Sequence, residues 1–195
     1  MAKGPMGNNA KYLSSILGVG IQKKTHPKLE TIMEHLITDP NLKNGLQRIL
    51  DVLKENNAEP AWFTTSHYRF KHNEELIFQI KFGDGFKYRD NEVEIRVLIS
   101  PVRMERFEEF LTGEMRDVVT ELMKNRSFKI CNGCSPCGKR QDFEYKGKQY
   151  KHVCTAPINM MYLLFSHTPN LSEQFQTIEK WIKAIIIFNN AIRTV

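Results

Sequence analysis

The chain of 195 residues is long enough to bury the core of one domain, and its 41% hydrophobic and 26% charged residues are typical of a globular protein. No apolar run approaches the roughly 20 residues that a membrane-spanning helix needs. The N-terminal apolar stretch, Tyr12 to Ile21, contains serines and glycines and lacks the pattern of a secretory signal. These features argue against a membrane protein, and we expect a cytoplasmic location.

The net charge of +6 is concentrated in two segments. Residues 1–28 contain five lysines and no acidic residue, and residues 131–154 contain five basic residues against two acidic ones. Such segments attract phosphate groups, although an excess of charge also serves solubility alone. Nucleic acid is therefore one possible partner of this chain.

Residues 1–27 combine glycines, prolines and small polar residues, which predicts a flexible basic arm. We expect residues 28–195 to form a single α+β domain. Apolar residues at helical spacing predict a helix from Leu29 to Ile37, which ends before Pro40 because proline disfavours helix at the preceding residue. A second amphipathic helix follows and ends near Asn57, so the domain begins with a helical hairpin.

The periodicity then changes to the alternation that is typical of half-buried strands. It runs from Ala61 to Phe70, resumes from Leu76 to Phe82, and appears again from Val93 to Ile99. An antiparallel meander of three or four strands accounts for these segments.

Long helices are predicted to pack on this sheet. One extends from about Arg103 to Lys124, and Glu105, Glu108 and Glu109 are expected on its solvated face. A buried strand is expected from Ile158 to Phe165. A last, largely apolar helix follows Asn170, whose side chain is predicted to cap it, with a glutamate three positions later completing a capping box.

All four cysteines lie between residues 131 and 154, with the spacing Cys131-x2-Cys134-x2-Cys137-x16-Cys154. Neighbouring thiolates from one tight turn, joined by a thiolate from a returning strand, meet the geometric needs of tetrahedral zinc. We call the segment from Cys131 to Cys137 the knuckle. The segment between Cys137 and Cys154 predicts a hairpin that turns at Lys146-Gly147 and returns Cys154 to the knuckle; we call it the cysteine hairpin. We therefore expect structural zinc in a small insertion at residues 127–156.

Alternatives to zinc remain. Cys-x2-Cys-x2-Cys is also the beginning of an iron–sulfur motif, but the fourth position of that motif is Gln141. Disulfides fit poorly with a cytoplasmic location, and no βαβ pattern accompanies the cysteines as it does in redox proteins. His152, two residues before Cys154, is a possible substitute for one thiolate.

The pattern C-x2-C-G-K-R…Y-x-G-K-x-Y…C, from Cys134 to Cys154, resembles segments of small bacterial single-domain proteins that carry a zinc-knuckle-like insertion and are classed as domains of unknown function. The resemblance is confined to the cysteine segment of 24 residues, Cys131 to Cys154. It implies no catalytic residues, because such families have no assigned activity.

The sequence predicts a zinc-stabilised binding protein that contacts an unidentified ligand or protein through an aromatic sheet face or the basic knuckle. One alternative is a nucleic-acid-binding protein that uses the basic arm and the knuckle. Another is an enzyme with a pocket near Trp62, Tyr68 and His67, although no nucleophile, acid pair or second histidine lies at a telling spacing. We accordingly assign no catalytic residues and expect no membrane partner.

Overall fold

The computed structural model describes residues 19–83, 90–124, 140–154, 158–165 and 170–193. The helices in these ranges are α1 (Val19–Thr25), α2 (Leu29–Leu36), α3 (Pro40–Glu55), α4 (Met104–Phe110), α5 (Gly113–Lys124) and α6 (Leu171–Ala191). The strands are β1 (Pro60–Thr64), β2 (His67–His72), β3 (Glu75–Phe82), β4 (Val93–Ile99), β5 (Arg140–Tyr145), β6 (Lys148–Cys154) and β7 (Ile158–Leu164). A single 3-10 turn, Pro101–Arg103, leads into α4.

The strands form a five-stranded antiparallel sheet with the order β1-β2-β3-β4-β7 and a separate two-stranded hairpin, β5-β6. The predicted α+β class and the predicted meander are confirmed. Strand β7 joins the meander beside β4 after the chain has passed through α4, α5 and the hairpin. The hairpin is therefore an insertion between two neighbouring strands of the main sheet.

The core cluster joins buried residues of the main sheet with buried residues of α2, α3, α4, α5 and α6. Strand β2 alternates buried with less buried residues, as the sequence pattern predicts, whereas β3 buries Ile77 to Ile80 and β4 buries Val97 to Ile99 without alternation. Helix α6 packs on β3 and β4 and along α3. Gly45 of α3 makes this close approach possible, because a Cβ atom at that position would lie 2.1 Å from the ring of Phe175 in α6.

The helical hairpin α2–α3 agrees with the prediction, and its linker is held by two side chains. Asp39 caps α3 by accepting from the backbone N–H groups of Asn41 (2.8 Å) and Leu42 (3.2 Å). Asn91, which precedes β4 and has a left-handed backbone with φ 62°, accepts through Oδ1 from the N–H groups of Thr38 and Asp39. Its own N–H donates to the carbonyl of Leu36.

The single helix predicted from Arg103 to Lys124 is wrong, because the chain breaks between α4 and α5. Leu111 is extended, and Gly113 takes a left-handed conformation with φ 55°. The apolar side chains of Phe110 in α4 and Val118 in α5 are both exposed.

Two local predictions in the strand and capping regions are also wrong. The first predicted strand divides into β1 and β2 at a turn around Ser66, whose φ is 51°. Asn170 does precede the last helix, but it adopts a left-handed backbone and its side chain makes no capping hydrogen bond. The capping box predicted with Glu173 is therefore absent.

Residues 19–27 belong to the folded body, although the predicted flexible arm includes them. In α1 the fully buried Gln22 accepts the backbone N–H of Ser66 at 2.6 Å and donates to its hydroxyl at 3.0 Å. His26 stacks on Trp62 with ring centroids 4.2 Å apart. The arm prediction is wrong for this segment, while residues 1–18 lie outside the described part of the chain.

Within the described ranges, every helix is too short or too polar to cross a lipid bilayer.

Candidate functional site

The face of the main sheet that alternates away from the core carries a group of basic and aromatic side chains. We call it the outer sheet face and define it by two rows of residues that pair across the strands. One row joins Arg69, Gln79, Arg96 and Tyr162 on β2, β3, β4 and β7, and the other joins His67, Lys81, Glu94 and Leu164 on the same strands. Phe63 of β1 also belongs to this face, because it contacts Arg69 and His67 of β2.

Arg69 and Phe63 form one basic and aromatic pair on this face. The guanidinium carbon of Arg69 lies 3.1 Å from the centroid of the Phe63 ring, and the ring of His67 meets the same ring edge-on at 5.2 Å. Phe63 remains 43% exposed. The Nε atom of Arg69 is buried and has no hydrogen-bond partner. A guanidinium fixed over a ring keeps other N–H donors for an incoming anion.

Arg96 and Tyr162 form a second pair, two strands away from the first. The Arg96 guanidinium is 5.6 Å from the centroid of the Tyr162 ring and also bonds to the Glu94 carboxylate. Tyr162 is 52% exposed. Each pair therefore combines a cation with a flat surface that is open to solvent.

His67 lies within the electrostatic reach of both arginines and is held neutral. Burial, together with the positive charges of Arg69 and Arg96, lowers its pKa to about 4, and Glu94 and a hydrogen bond with Gln79 offset only part of this shift. At neutral pH the imidazole adds no charge to the outer sheet face. The basic character of the face comes from Arg69, Lys81 and Arg96.

The three residues of the predicted enzyme pocket do not converge. Trp62 and Tyr68 pair across β1 and β2 on the core side, whereas His67 is on the outer sheet face. Tyr68 is fully buried, and its hydroxyl donates to the carbonyl of Pro27 at 2.7 Å. The arrangement places His67 beside cations and the ring of Phe63, apart from Trp62 and Tyr68.

The cysteine hairpin has the predicted turn. Lys146 and Gly147 join β5 to β6, both with positive φ, as a tight hairpin turn requires. The ladder pairs Cys154 with Arg140, at the end of the hairpin where the chain arrives from the knuckle sequence. Cys154 is half-buried. Cys131, Cys134 and Cys137 lie outside the described residues, and the described part of the chain contains no group of three metal-ligating side chains.

His152 occupies an irregularity in β6. Its backbone has φ 54°, its N–H donates to Asp142 Oδ1 at 2.7 Å, and its ring Nδ1 is 3.7 Å from the same oxygen. The side chain is exposed. His152 as a replacement ligand stays an alternative to the four-cysteine set.

Glu108 of α4 joins the cysteine hairpin to the helices, although the sequence pattern places it on a solvated face. It is 5% exposed and accepts hydrogen bonds from Thr120 of α5, from the Tyr145 hydroxyl and from Lys146 Nζ at 2.7 Å. Burial raises the pKa of this carboxyl, but the three hydrogen bonds and the charge of Lys146 outweigh burial and hold it below its usual value. On the neighbouring turn, Glu105 accepts the backbone N–H of Lys146 at 2.8 Å. The expectation for Glu108 is wrong, because its partners come from distant parts of the chain.

Comparison with protein-family models, with curated proteins and with solved structures gives no match.

Proposed function

We propose that this protein binds single-stranded nucleic acid on its outer sheet face. The observation that carries the proposal is the repeated pairing of an arginine with an exposed aromatic ring, Arg69 with Phe63 and Arg96 with Tyr162. Proteins that bind single strands combine aromatic side chains, on which bases stack, with cations that follow the phosphates. This face supplies both kinds of contact.

The dimensions of the face suit several nucleotides. Phe63 and Tyr162 lie on the two edge strands of the five-stranded sheet, so four inter-strand spacings, about 19 Å, separate their strands. Arg69, Lys81 and Arg96 lie between them, and Glu94 is the one carboxylate in the two rows. The net positive charge favours a polyanion, and the flat rings favour unpaired bases over a duplex.

We further propose that zinc is bound by Cys131, Cys134, Cys137 and Cys154 and stabilises the cysteine hairpin. The register of β5 and β6 supports this assignment. Cys137 is three residues before Arg140, which limits their Cα separation to about 11 Å, and Arg140 faces Cys154 at about 5 Å. The reach of the chain therefore permits both thiolates to bind one metal ion.

A closed four-cysteine site leaves no open coordination position, so the metal would act as a structural element. Reduced thiolates are maintained in the cytoplasm, and we infer that location for the protein. An iron–sulfur cluster at the same cysteines is the alternative. Elemental analysis of the purified protein distinguishes the two, because zinc is colourless and stoichiometric iron would be accompanied by the absorption of a cluster.

The nucleic-acid proposal is tested by fluorescence anisotropy with a labelled mixed-sequence single strand, as RNA and as DNA. Phe63→Ala and Tyr162→Ala should each weaken binding by about 1–3 kcal/mol, the usual contribution of one stacking contact. Val118→Ala on α5 is the matched control, since Val118 is also 46% exposed but lies outside the sheet. Binding of both variants at the level of this control would reject the outer sheet face.

The salt dependence separates the outer sheet face from the basic arm and the knuckle. Each phosphate contact contributes about −0.7 to the slope of log K against log salt for a single strand. Lys81→Gln and Arg96→Gln should each reduce the slope by about that amount, whereas Lys183→Gln on the exposed side of α6 should not. A slope that responds only to deletion of residues 1–18 would assign the binding to the arm and contradict our proposal.

A further inference from the structure

A polar cavity of about 450 Å³ lies at the turn between β2 and β3, beside the C-terminal end of α6. Its wall includes Lys71 and Asn73 from the hairpin, Arg103 from the 3-10 turn, and Asn189, Ile192 and Arg193 from the end of α6. The volume is within the range of small-molecule sites. None of these residues belongs to the outer sheet face or to the cysteine hairpin.

Three cations line the cavity. Lys71 is accompanied by the exposed Glu74 at 3.5 Å, Arg103 bonds to Glu75 at 2.9 Å, and Arg193 donates to the amide oxygen of Asn73 at 2.9 Å. A guanidinium has five N–H donors, so these contacts leave donors of both arginines for another acceptor. The two carboxylates reduce the positive charge of the wall without removing it.

Asn189 provides an independent indication of a missing acceptor. The residue is 3% exposed, and its Oδ1 accepts from Arg103 Nη1 at 3.3 Å. Its Nδ2 atom is buried and has no hydrogen-bond partner. Buried amide donors are almost always paired, because an unpaired donor loses its hydrogen bond to water without compensation. A cavity with cations and an unsatisfied amide N–H is suited to a group that only accepts hydrogen bonds.

We propose that this cavity binds a small molecule carrying a carboxylate or phosphate group. The oxygens of the group accept from Arg103, Arg193 and the amide of Asn189, and Lys71 adds charge at the rim. The site goes beyond the binding of nucleic acid, since it is built from different residues and is concave where the sheet is open. The ligand that it fits is a small oxyanion and not a polymer.

Nuclear magnetic resonance titration of the full chain tests the proposal with inorganic phosphate and with succinate, each against sodium chloride at equal ionic strength. We expect the side-chain amide resonance of Asn189 to shift with phosphate, with succinate or with both. A response to phosphate alone identifies a phosphoryl ligand, and a response to succinate alone identifies a carboxylate. A shift no larger than that produced by chloride overturns the proposal.

Variants then locate the anion. Arg193 and Lys71 are exposed, so Arg193→Gln and Lys71→Gln should leave the fold intact. Each should lower the affinity for the anion several-fold, up to about tenfold for loss of a charged hydrogen bond. Lys183→Gln, on the same helix as Asn189, and Arg96→Gln, on the outer sheet face, should leave it unchanged. An anion response that persists in both Arg193→Gln and Lys71→Gln, or that is lost in Arg96→Gln, places the anion elsewhere and overturns the proposal.

Discussion

Replacement of Glu108 by glutamine should release the cysteine hairpin from the helices while the main sheet stays folded. The carboxylate accepts from Thr120, Tyr145 and Lys146, and these contacts join α4 to α5 and to the hairpin turn, beside the bonds of Arg116 to the carbonyls of α4 and of Glu105 to the Lys146 N–H. An amide removes the negative charge and turns an NH2 group toward side chains that donate. At least one of the three hydrogen bonds is lost, and the others weaken.

The expected loss of stability in Glu108→Gln follows from the loss of hydrogen bonds to a charged carboxylate. A hydrogen bond to a charged group contributes about 1.5–3 kcal/mol, and an unpaired buried partner adds a cost of its own. Lys146 is half-exposed, so solvent screens its contribution. We expect the free energy for opening the hairpin to fall by about 2–4 kcal/mol. Glu109→Gln is the matched control, because Glu109 is the next residue of α4 and is exposed.

Hydrogen exchange measured by mass spectrometry distinguishes local from global effects. Glu108→Gln should lose protection in residues 140–154 and in α4 and α5, with β2, β3 and β4 unchanged. Tyr145→Phe should cause a smaller loss in the same segments, and the double variant should show a coupling energy of at least about 0.5 kcal/mol. Equal protection in the Glu108→Gln and Glu109→Gln variants would refute this account of the hairpin.

Other perturbations test the core, the electrostatics and the metal. Gly45→Ala should lower the free energy of unfolding in urea by about 1–3 kcal/mol, because the added Cβ would overlap the Phe175 ring. Gly20→Ala is the control, since a Cβ there meets no neighbouring atom within 4 Å, and it should be neutral or stabilising. Equal effects of the two substitutions would show that α3 and α6 adjust freely. The pKa of His67 is lowered to about 4 in the folded protein, whereas a free imidazole titrates near 6.5. Its contribution to stability is therefore complete above pH 6.5 and is lost as the pH falls toward 4. His67→Gln should flatten the dependence of unfolding free energy on pH in that window, and an unchanged slope would contradict a depressed pKa for His67. Cys134→Ser or removal of the metal by a chelator should reduce hydrogen-exchange protection in residues 140–154 and leave α6 protected, and full protection in that hairpin would exclude a structural metal.

The elements that sequence patterns predict well are those whose signals are local. Asp39-Pro40 marks the link between α2 and α3, Lys146-Gly147 marks the turn between β5 and β6, and a continuous apolar face indicates the last helix. Each of these depends on residues within a few positions of one another. These elements can therefore be predicted without knowledge of the tertiary structure.

The features that patterns miss depend on partners that are distant in the chain. Glu108 looks like a solvated helix residue, and only the hairpin that returns 37 residues later buries it. Gln22 lies in a segment of helix-breaking composition, yet its bonds to Ser66 fix α1. Alternation marks Arg96 and Tyr162 as polar or outward positions, but their neighbourhood depends on β7 returning beside β4. Long-range pairing of this kind is not encoded in any local window.

The hydrogen bonds of Asn91 bear on the order in which the chain folds. Helices α2 and α3 are local structures that form quickly, but their linker is bonded to a residue 52 positions beyond Asp39. Those bonds require closure of that loop, so we expect them to form after the local hydrogen bonds of the two helices. In the folded protein they join the linker of the helical hairpin to the residue that leads into β4.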